Sequence, residues 1–507
     1  MNIYKESNNE MNTNGDWNFI KKMRSIKEVY GNKTALVDQY NRYSFGDIYY
    51  ISGKIASFIN SKLDGYENCV GVIIDDSAKS VMLMLGIMCS GNFYLPIDSN
   101  LPKGQLDVVM KNTEMKTILV PSWKYDKLTD YRCYSFEDII ETASDRLFFA
   151  DVDQRALLYG ILTSGSTGTP KIILKTHQAM MVYISSFVDT FSVSEKEVIG
   201  SQIPFYSDAA QKDLFLMMYL GAGLVLIPQF MFTAPYALVQ YMKEKDINYI
   251  SWVPSAYGMV SQFDIFRKEQ LTQLKYSFWV GERIHKRVLE YWKSYLPETE
   301  FYNIYGMSEI AGVCTYCNMN KESADIIPIG IPFKHCRLVL LNEANQLSDE
   351  GELLISTEAL ALCVLTDRGR RNLDKISINI DGKEELFYKT GDYGYLNSDR
   401  QFVITGRRDE QIKLNGYRIE LQGIERVLQN YEFVNDVAVV FYKEKITAYI
   451  ELNVDDPAVR ENLKKYAKCN LSPYAVPHRY FFLDYMPYNR NGKRDKVYLQ
   501  LLLQNEV

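Results

Sequence analysis

Short apolar runs that trade places with amphipathic segments constrain this chain more than any other feature. Helix-like segments at Phe45–Lys62, Ser80–Ser90, Lys103–Lys111 and Ala237–Glu244 alternate with strand-like runs at Val70–Ile74, Thr117–Val120, Leu224–Pro228 and Ile247–Trp252. That alternation predicts an α/β fold with largely parallel sheets. At 507 residues the chain is too long for one core, so several domains are expected. Beyond about residue 330 the pattern shifts: Leu338–Leu341 and Gly351–Ser356 read as strands of a more antiparallel, barrel-like region. A hydrophilic break follows at Gly406-Arg-Arg-Asp-Glu410. The remainder reads as a strand, a helix (Leu421–Asn430), further strands, a helix (Ala458–Cys469) and a final helix, enough for a small α+β domain. The predicted division is a frayed polar segment 1–20, a large domain 21–408 of two parallel-rich subdomains plus the barrel-like one, and a small mobile domain 409–507.

The bulk numbers exclude some classes of function. A net charge of −6, with no basic cluster, argues against a nucleic-acid binder that works by bulk electrostatics. Cysteines at 69, 89, 133, 314, 317, 336, 363 and 469 form no disulfide framework for a chain of this size, so a reducing cytoplasm fits. Cys314 and Cys317 make a lone C-x-x-C, and with only four histidines a zinc site is not expected. The polar, Asn-rich start does not read as a signal peptide. Leu214–Met242 carries no charge but is broken by Gly221, Gly223, Pro228 and Pro235. It reads as a buried helix, a glycine turn and a core strand, not as a membrane span.

One loop carries most of the chemistry. Leu162-Thr-Ser-Gly-Ser-Thr-Gly-Thr-Pro-Lys171 packs hydroxyls, two glycines and a lysine between apolar runs. Gly165 and Gly168 let backbone N–H groups approach an anion. Ser164, Ser166, Thr167 and Thr169 add hydroxyl donors, Lys171 adds charge, and Thr163 belongs to the same candidate nucleotide site. The spacing is neither that of a Walker A loop nor that of the dinucleotide fingerprint. The loop nevertheless reads as a phosphate holder, pinned between two strands.

Further motifs occur in a fixed order: Asn41-Arg-Tyr-Ser-Phe-Gly-Asp47, Gly91-Asn-Phe-Tyr-Leu-Pro-Ile-Asp98, the loop, Asn303-Ile-Tyr-Gly-Met-Ser-Glu309, Tyr388-Lys-Thr-Gly-Asp392, Gly406-Arg-Arg-Asp409, Lys413-Leu-Asn-Gly-Tyr-Arg418, Leu471-Ser-Pro-Tyr-Ala-Val-Pro477 and Asn491-Gly-Lys493. With these the chain resembles the adenylate-forming (ANL) enzymes, most closely the amino-acid adenylation domains of nonribosomal peptide synthesis. The resemblance implies ATP as a substrate with Mg²⁺, attack of a carboxylate on the α-phosphate, loss of pyrophosphate, and transfer of the acyl group to a thiol. Such chemistry brings two anions together, so fixed cations are needed.

By resemblance, Lys493 bridges carboxylate and α-phosphate, Glu309 holds Mg²⁺, and Ser308 hydrogen-bonds the α-phosphate. Tyr305 stacks on adenine near Asn303, Ile304, Gly306 and Gly281. Asp392 and Arg407 bind the ribose, and Lys171 accompanies the leaving pyrophosphate. Asp409 is the hinge on which Lys413 and Gly416 swing towards the site for the thiol step. Three departures stand out: Met307 where the family has proline, Ala359-Leu-Ala-Leu-Cys-Val364 after Gly351-Glu-Leu353, and Ser207 before the pocket aspartate.

Asp208 aligns with the aspartate that grips an α-amino group, which implies an amino acid as substrate. Ala209, Lys212, Ser251, Phe278, Val280, Ile304, Gly312 and Val313 would line its side-chain pocket. Lys212 in an otherwise apolar pocket needs a counter-ion, and an acidic substrate would supply one. An i,i+4 pair with Asp208, or exposure to solvent, would explain it equally. The resemblance implies a freestanding ligase, expected as a monomer, that serves a separate phosphopantetheinyl carrier protein. D-alanine–carrier protein ligase, acyl-CoA or aryl-CoA synthetase and an inactive nucleotide-binding relative are the alternatives.

Overall fold

The computed structural model describes residues 17–122, 128, 131–163, 170–282, 284–322, 326–407, 411–454, 456–488 and 494–505. Two large sheets dominate it. Among the described residues, one has nine strands, ordered Ile331–Pro332, Val313–Asn318, Glu300–Gly306, Tyr276–Val280, Tyr249–Trp252, Val198–Ser201, Gly223–Leu226, Thr34–Val37, Arg42–Ser44. Its central pairings are parallel. The other has eight strands, with Phe93–Asp98, Cys69–Ile74 and Thr117–Val120 parallel near its middle. Here the hairpin Leu157–Thr163 and Lys171–Thr176 is antiparallel, with Thr163 opposite Lys171. The strands that flank the glycine–hydroxyl loop are therefore one ladder. The loop residues Ser164, Gly165, Ser166, Thr167 and Gly168 lie outside the described residues.

Local chemistry explains the elements. Ser44 and Asp47 form a reciprocal capping box that starts the helix Phe45–Lys62. Cys69–Ile74 is buried at every position, as a central parallel strand requires. The uncharged stretch resolves into the helix Asp208–Leu220, a left-handed Gly221 at φ 77°, and the strand Gly223–Leu226. No helix among the described residues is long and apolar enough to cross a membrane.

One hydrophobic core joins both large sheets, with Tyr257 stacked on Trp279 at 3.9 Å between ring centroids. The antiparallel region is a six-stranded sheet in the place of the barrel-like subdomain. A separate core of Leu414, Ile419, Ile424, Val437, Ile450 and Leu463 holds the C-terminal elements together. The ordered chain begins earlier than its polarity suggests. Phe19 and Ile20, assigned to the frayed segment, are buried, because Asn18 Nδ2 donates to the Val152 carbonyl at 2.7 Å and Phe19 N–H donates to His177 Nδ1 at 3.3 Å.

The helix Phe45–Lys62 packs on Ala78–Cys89 at Gly86, where an added Cβ would fall 2.4 Å from Ile55 Cβ. Gly86→Leu is expected to force these helices apart at about 1–3 kcal/mol, lowering the melting temperature by roughly 1–4 °C in thermal unfolding.

Candidate active site

A cleft opens where the ends of the two large sheets meet the C-terminal elements. Thr163, Asp208, Ala209, Lys212, Val280, Gly281, Ile304, Gly306, Ser308, Gly312, Val313, Asp392, Arg407, Lys413 and Gly416 all line it. Residues from every part of the sequence thus converge on one space. Ser251 and Phe278, expected in the pocket wall, are buried within their strands, and Phe278 packs against Phe187 and Tyr249 at 5.1 and 5.0 Å. Lys493 and Asp409 lie outside the described residues.

The floor of the cleft is an ion pair. Asp208 begins the helix Asp208–Leu220, and Lys175 Nζ donates to its Oδ1 and Oδ2 at 2.6 and 2.7 Å. Tyr159 adds a hydroxyl donor to Oδ1 at 3.1 Å, and Lys175 also donates to the Ile310 carbonyl at 2.8 Å. The Lys175 side chain is 0% exposed. Burial pushes Asp208 up and Lys175 down, and each is opposed by the charge of the other. Lys175 was missed in the sequence because it ends an apolar strand run. A charge in Ile-Ile-Leu-Lys was the available signal.

Lys212 does not pair with Asp208, nor does it face solvent. Its Nζ donates to Asp213 Oδ1 and to the Tyr249 hydroxyl, both at 2.7 Å, under the faces of Tyr249, Phe187 and Phe278. The i,i+4 partnership fails because Asp208 is already held from the opposite sheet, and the long lysine side chain reaches its sequence neighbour. The counter-ion that Lys212 requires is thus internal.

At the other end of the cleft, Tyr305 donates its hydroxyl to Asp392 Oδ2, and Arg407 Nη1 donates to Asp392 Oδ1 at 2.8 Å. Burial, reinforced by the Asp392 carboxylate, pushes the Tyr305 phenol well above its ordinary range. Asn303 Nδ2 donates to the Pro328 carbonyl at 2.7 Å. Glu309 is buried beside Ser308, and its charge is felt by Lys175 and Asp208. No cluster of three metal-ligating side chains occurs among the described residues. Cys314 and Cys317, three apart on one strand, face opposite ways and are both buried free thiols.

The hairpin Gln411–Leu414 and Tyr417–Glu420 closes one side. Lys413 Nζ sits 5.4 Å over the Tyr305 ring, and Gly416 N–H donates to Glu282 Oε1 at 2.9 Å. Gly416 has φ 81°, and a Cβ there would meet Val253 Cγ1 at 2.8 Å, so only glycine fits. Tyr417 shares a 2.9 Å hydrogen bond with Tyr206, and Lys171 pairs with Glu420 at 3.0 Å.

The profile of the AMP-binding enzyme family matches residues 24–365, and that of the AMP-binding enzyme C-terminal domain matches residues 423–493. The chain belongs to the AMP-binding enzyme family. Tyrocidine synthase 1 of Brevibacillus parabrevis is 26% identical over 92% of this chain, which spans 43% of that protein. Zwittermicin A synthase ZmaJ of Bacillus cereus is 27% identical, over 93% of this chain and 92% of its own length. Among solved structures, the o-succinylbenzoate CoA synthetase MenE of Bacillus subtilis superposes with a TM-score of 0.81 at 17% identity, covering 94% of this chain and 98% of that one. This AMP-binding enzyme is therefore an adenylate-forming ligase in fold and family, of a kind that uses ATP as substrate.

Lys175→Met would leave Asp208 buried and unpaired, which costs about 3–5 kcal/mol. The folded-state pKa of Asp208 would then rise further above its unfolded value. The variant is therefore expected to be most stable at low pH and to lose stability as pH rises through and above the ordinary carboxylate range. Adding Asp208→Asn removes that pH dependence, which thermal melts across the acid-to-neutral range will read.

Proposed function

We propose that this enzyme activates a carboxylic acid as its acyl-adenylate and passes the acyl group to the phosphopantetheine thiol of a carrier protein. One observation carries the reading: the end of the loop strand, Ser308, the Asp392–Arg407 pair and the Lys413–Gly416 hairpin all face a single cleft. In the first step a carboxylate oxygen attacks the α-phosphorus, the bond to the β-phosphate bridging oxygen breaks, and pyrophosphate leaves. Thr163 and the loop residues 164–168 cradle the departing phosphates through N–H and hydroxyl donors. Ser308 donates to the α-phosphate, and Asp392 with Arg407 receives the ribose. Tyr305 and Gly281 flank the base.

Glu309, buried beside Ser308, is the carboxylate that would hold a Mg²⁺ bound with the nucleotide, and the ion would supply positive charge to the phosphates. Lys493 supplies the moving positive charge between the two anions. In the arrangement described here Lys171 is engaged by Glu420, so it reaches pyrophosphate only when the hairpin withdraws. The division at Asp409, with 21–408 as the large domain and 409–507 as the small one, is the swing that this requires. The hairpin's position, with Lys413 and Gly416 at the cleft, suits the thiol step.

The narrower expectation of an amino acid rests on Asp208 meeting an ammonium, and here its oxygens already meet Lys175. An acidic side chain does not find Lys212 vacant, because Lys212 is paired with Asp213. The reaction is proposed to run in the cytoplasm, on a monomer.

Lys493→Ala is expected to cut ATP–pyrophosphate exchange by at least about 100-fold, the scale of a lost preorganised charge, with an unchanged circular dichroism spectrum. Unchanged exchange would refute the assignment. Glu420→Gln loosens the hairpin and releases Lys171, while leaving Ser308, Glu309, Asp392 and Lys493 unchanged. It is expected to slow acyl transfer to a carrier thiol about fivefold relative to exchange, the worth of a ~1 kcal/mol partly buried ion pair.

A further inference from the structure

The Asp208 end of the cleft holds its charged side chains in pairs before any substrate arrives. Two cations and two anions meet there as matched pairs, Lys175 with Asp208 and Lys212 with Asp213, while the buried Glu309, whose charge reaches Lys175 and Asp208, is the carboxylate proposed for Mg²⁺. All four are buried by their neighbours, with side-chain exposures of 0, 13, 5 and 1%. The surrounding wall is apolar at Val280, Ile304 and Val313. Asp98, a further carboxylate on the cleft wall, is turned to its own loop, accepting from Asn100 N–H at 2.8 Å and Asn100 Nδ2 at 3.1 Å.

We propose that this enzyme selects a carboxylic acid bearing no second ionised group, neither an α-ammonium nor an acidic side chain, because Lys175 occupies the Asp208 carboxylate from beneath. The proposal rests on the adenylation reading and narrows its substrate. An incoming ammonium would have to share a carboxylate that Lys175 already compensates, at a largely buried position. Lys175 cannot step aside for it. The lysine stands on a strand paired along its length, and its Nζ is held by both Asp208 oxygens and the Ile310 carbonyl. An acidic side chain fails for the mirror-image reason at Lys212, held by Asp213 and Tyr249. A neutral donor is different. Asp208 keeps a slightly exposed edge on the cleft, so a hydroxyl next to the carboxylate can donate to it without bringing charge. The substrate class is therefore a monocarboxylic acid with an apolar or hydroxylated body.

Matched sets on one carbon skeleton test this by ATP–pyrophosphate exchange with the intact chain: phenylalanine, phenyllactate and 3-phenylpropionate; alanine, lactate and propionate; and glutamate and aspartate against their monocarboxylate counterparts. Within the set that fits the pocket, the neutral acids are expected to exceed the amino acid by at least about 100-fold in kcat/KM. An amino acid that exchanges as well as its deaminated partner overturns the inference and leaves the adenylation reading standing. Exchange with no acid of any class, while ATP still binds, overturns both. Lys175→Met is expected to shift the preference towards the amino acid by at least about tenfold, since Asp208 then lacks a cation. Lys175→Gln, which keeps a donor and drops the charge, is read in the same way should the methionine variant not fold. A preference that neither variant moves overturns the role given to Lys175, and the wild-type panel decides the substrate class by itself.

Discussion

The Lys175–Asp208 ion pair is the joint on which the cleft depends. Lys175 belongs to the hairpin of the eight-stranded sheet, whereas Asp208 opens a helix that packs on the nine-stranded one. Ile310, whose carbonyl takes a further lysine proton, follows a strand of that same second sheet. Three chain segments, distant in sequence, are thus fixed to one nitrogen. Removing two charges from water is costly, and the cost is met only because nearly every donor and acceptor has a partner. The helix N-terminus adds its own partial positive charge beside the carboxylate. Thr163, Ala209 and Gly312 take their positions from segments that this joint holds in register.

The opposite wall is built by shape more than by charge. Gly416 passes Val253 so closely, and in so left-handed a conformation, that a side chain there would push the hairpin out. Lys413 then lies over the Tyr305 ring, and Tyr417 stacks on Tyr474 at 4.1 Å between centroids. These contacts are small and mostly polar, unlike the continuous apolar core that unites the two large sheets. A joint of this kind can open at modest cost. Lys171 shows why opening matters: one ammonium cannot serve both Glu420 and a departing polyphosphate.

Elements with strong periodicity were legible from the sequence alone. Thr117–Val120 and Phe45–Lys62 fall where their apolar patterns place them. The convergence of Asp208, Ser308, Asp392, Arg407 and Lys413 was legible through ordered motifs, since each is tied to a turn or strand end of recognisable chemistry. What stayed hidden was pairing across distance. Lys175 and Asp208 are 33 residues apart, and nothing local joins them. Lys212 misled for a related reason. Helical spacing pointed to Asp208 four residues away, but tertiary contacts had already claimed that carboxylate, and a flexible lysine bent to Asp213 instead. The buried start at Phe19 was hidden because its burial depends on His177 and Val152, which the polar N-terminal composition does not reveal.

A buried ion pair is weak evidence for stability, since well-packed apolar residues of the same volume usually do as well or better. Two such pairs side by side at the floor of one cleft therefore call for another explanation. A single charge would draw an oppositely charged substrate group; a matched pair presents polar edges without net charge. It can orient a neutral hydroxyl while rejecting both ammonium and carboxylate substituents, because each would be left half-compensated against a buried floor. The same wall leaves the reacting carboxylate to be met elsewhere, by the cations that the small C-terminal elements bring. Selection of the acid and activation of its carboxylate are thus divided between two parts of the chain, and the floor can change its choice of acid without disturbing the chemistry above it.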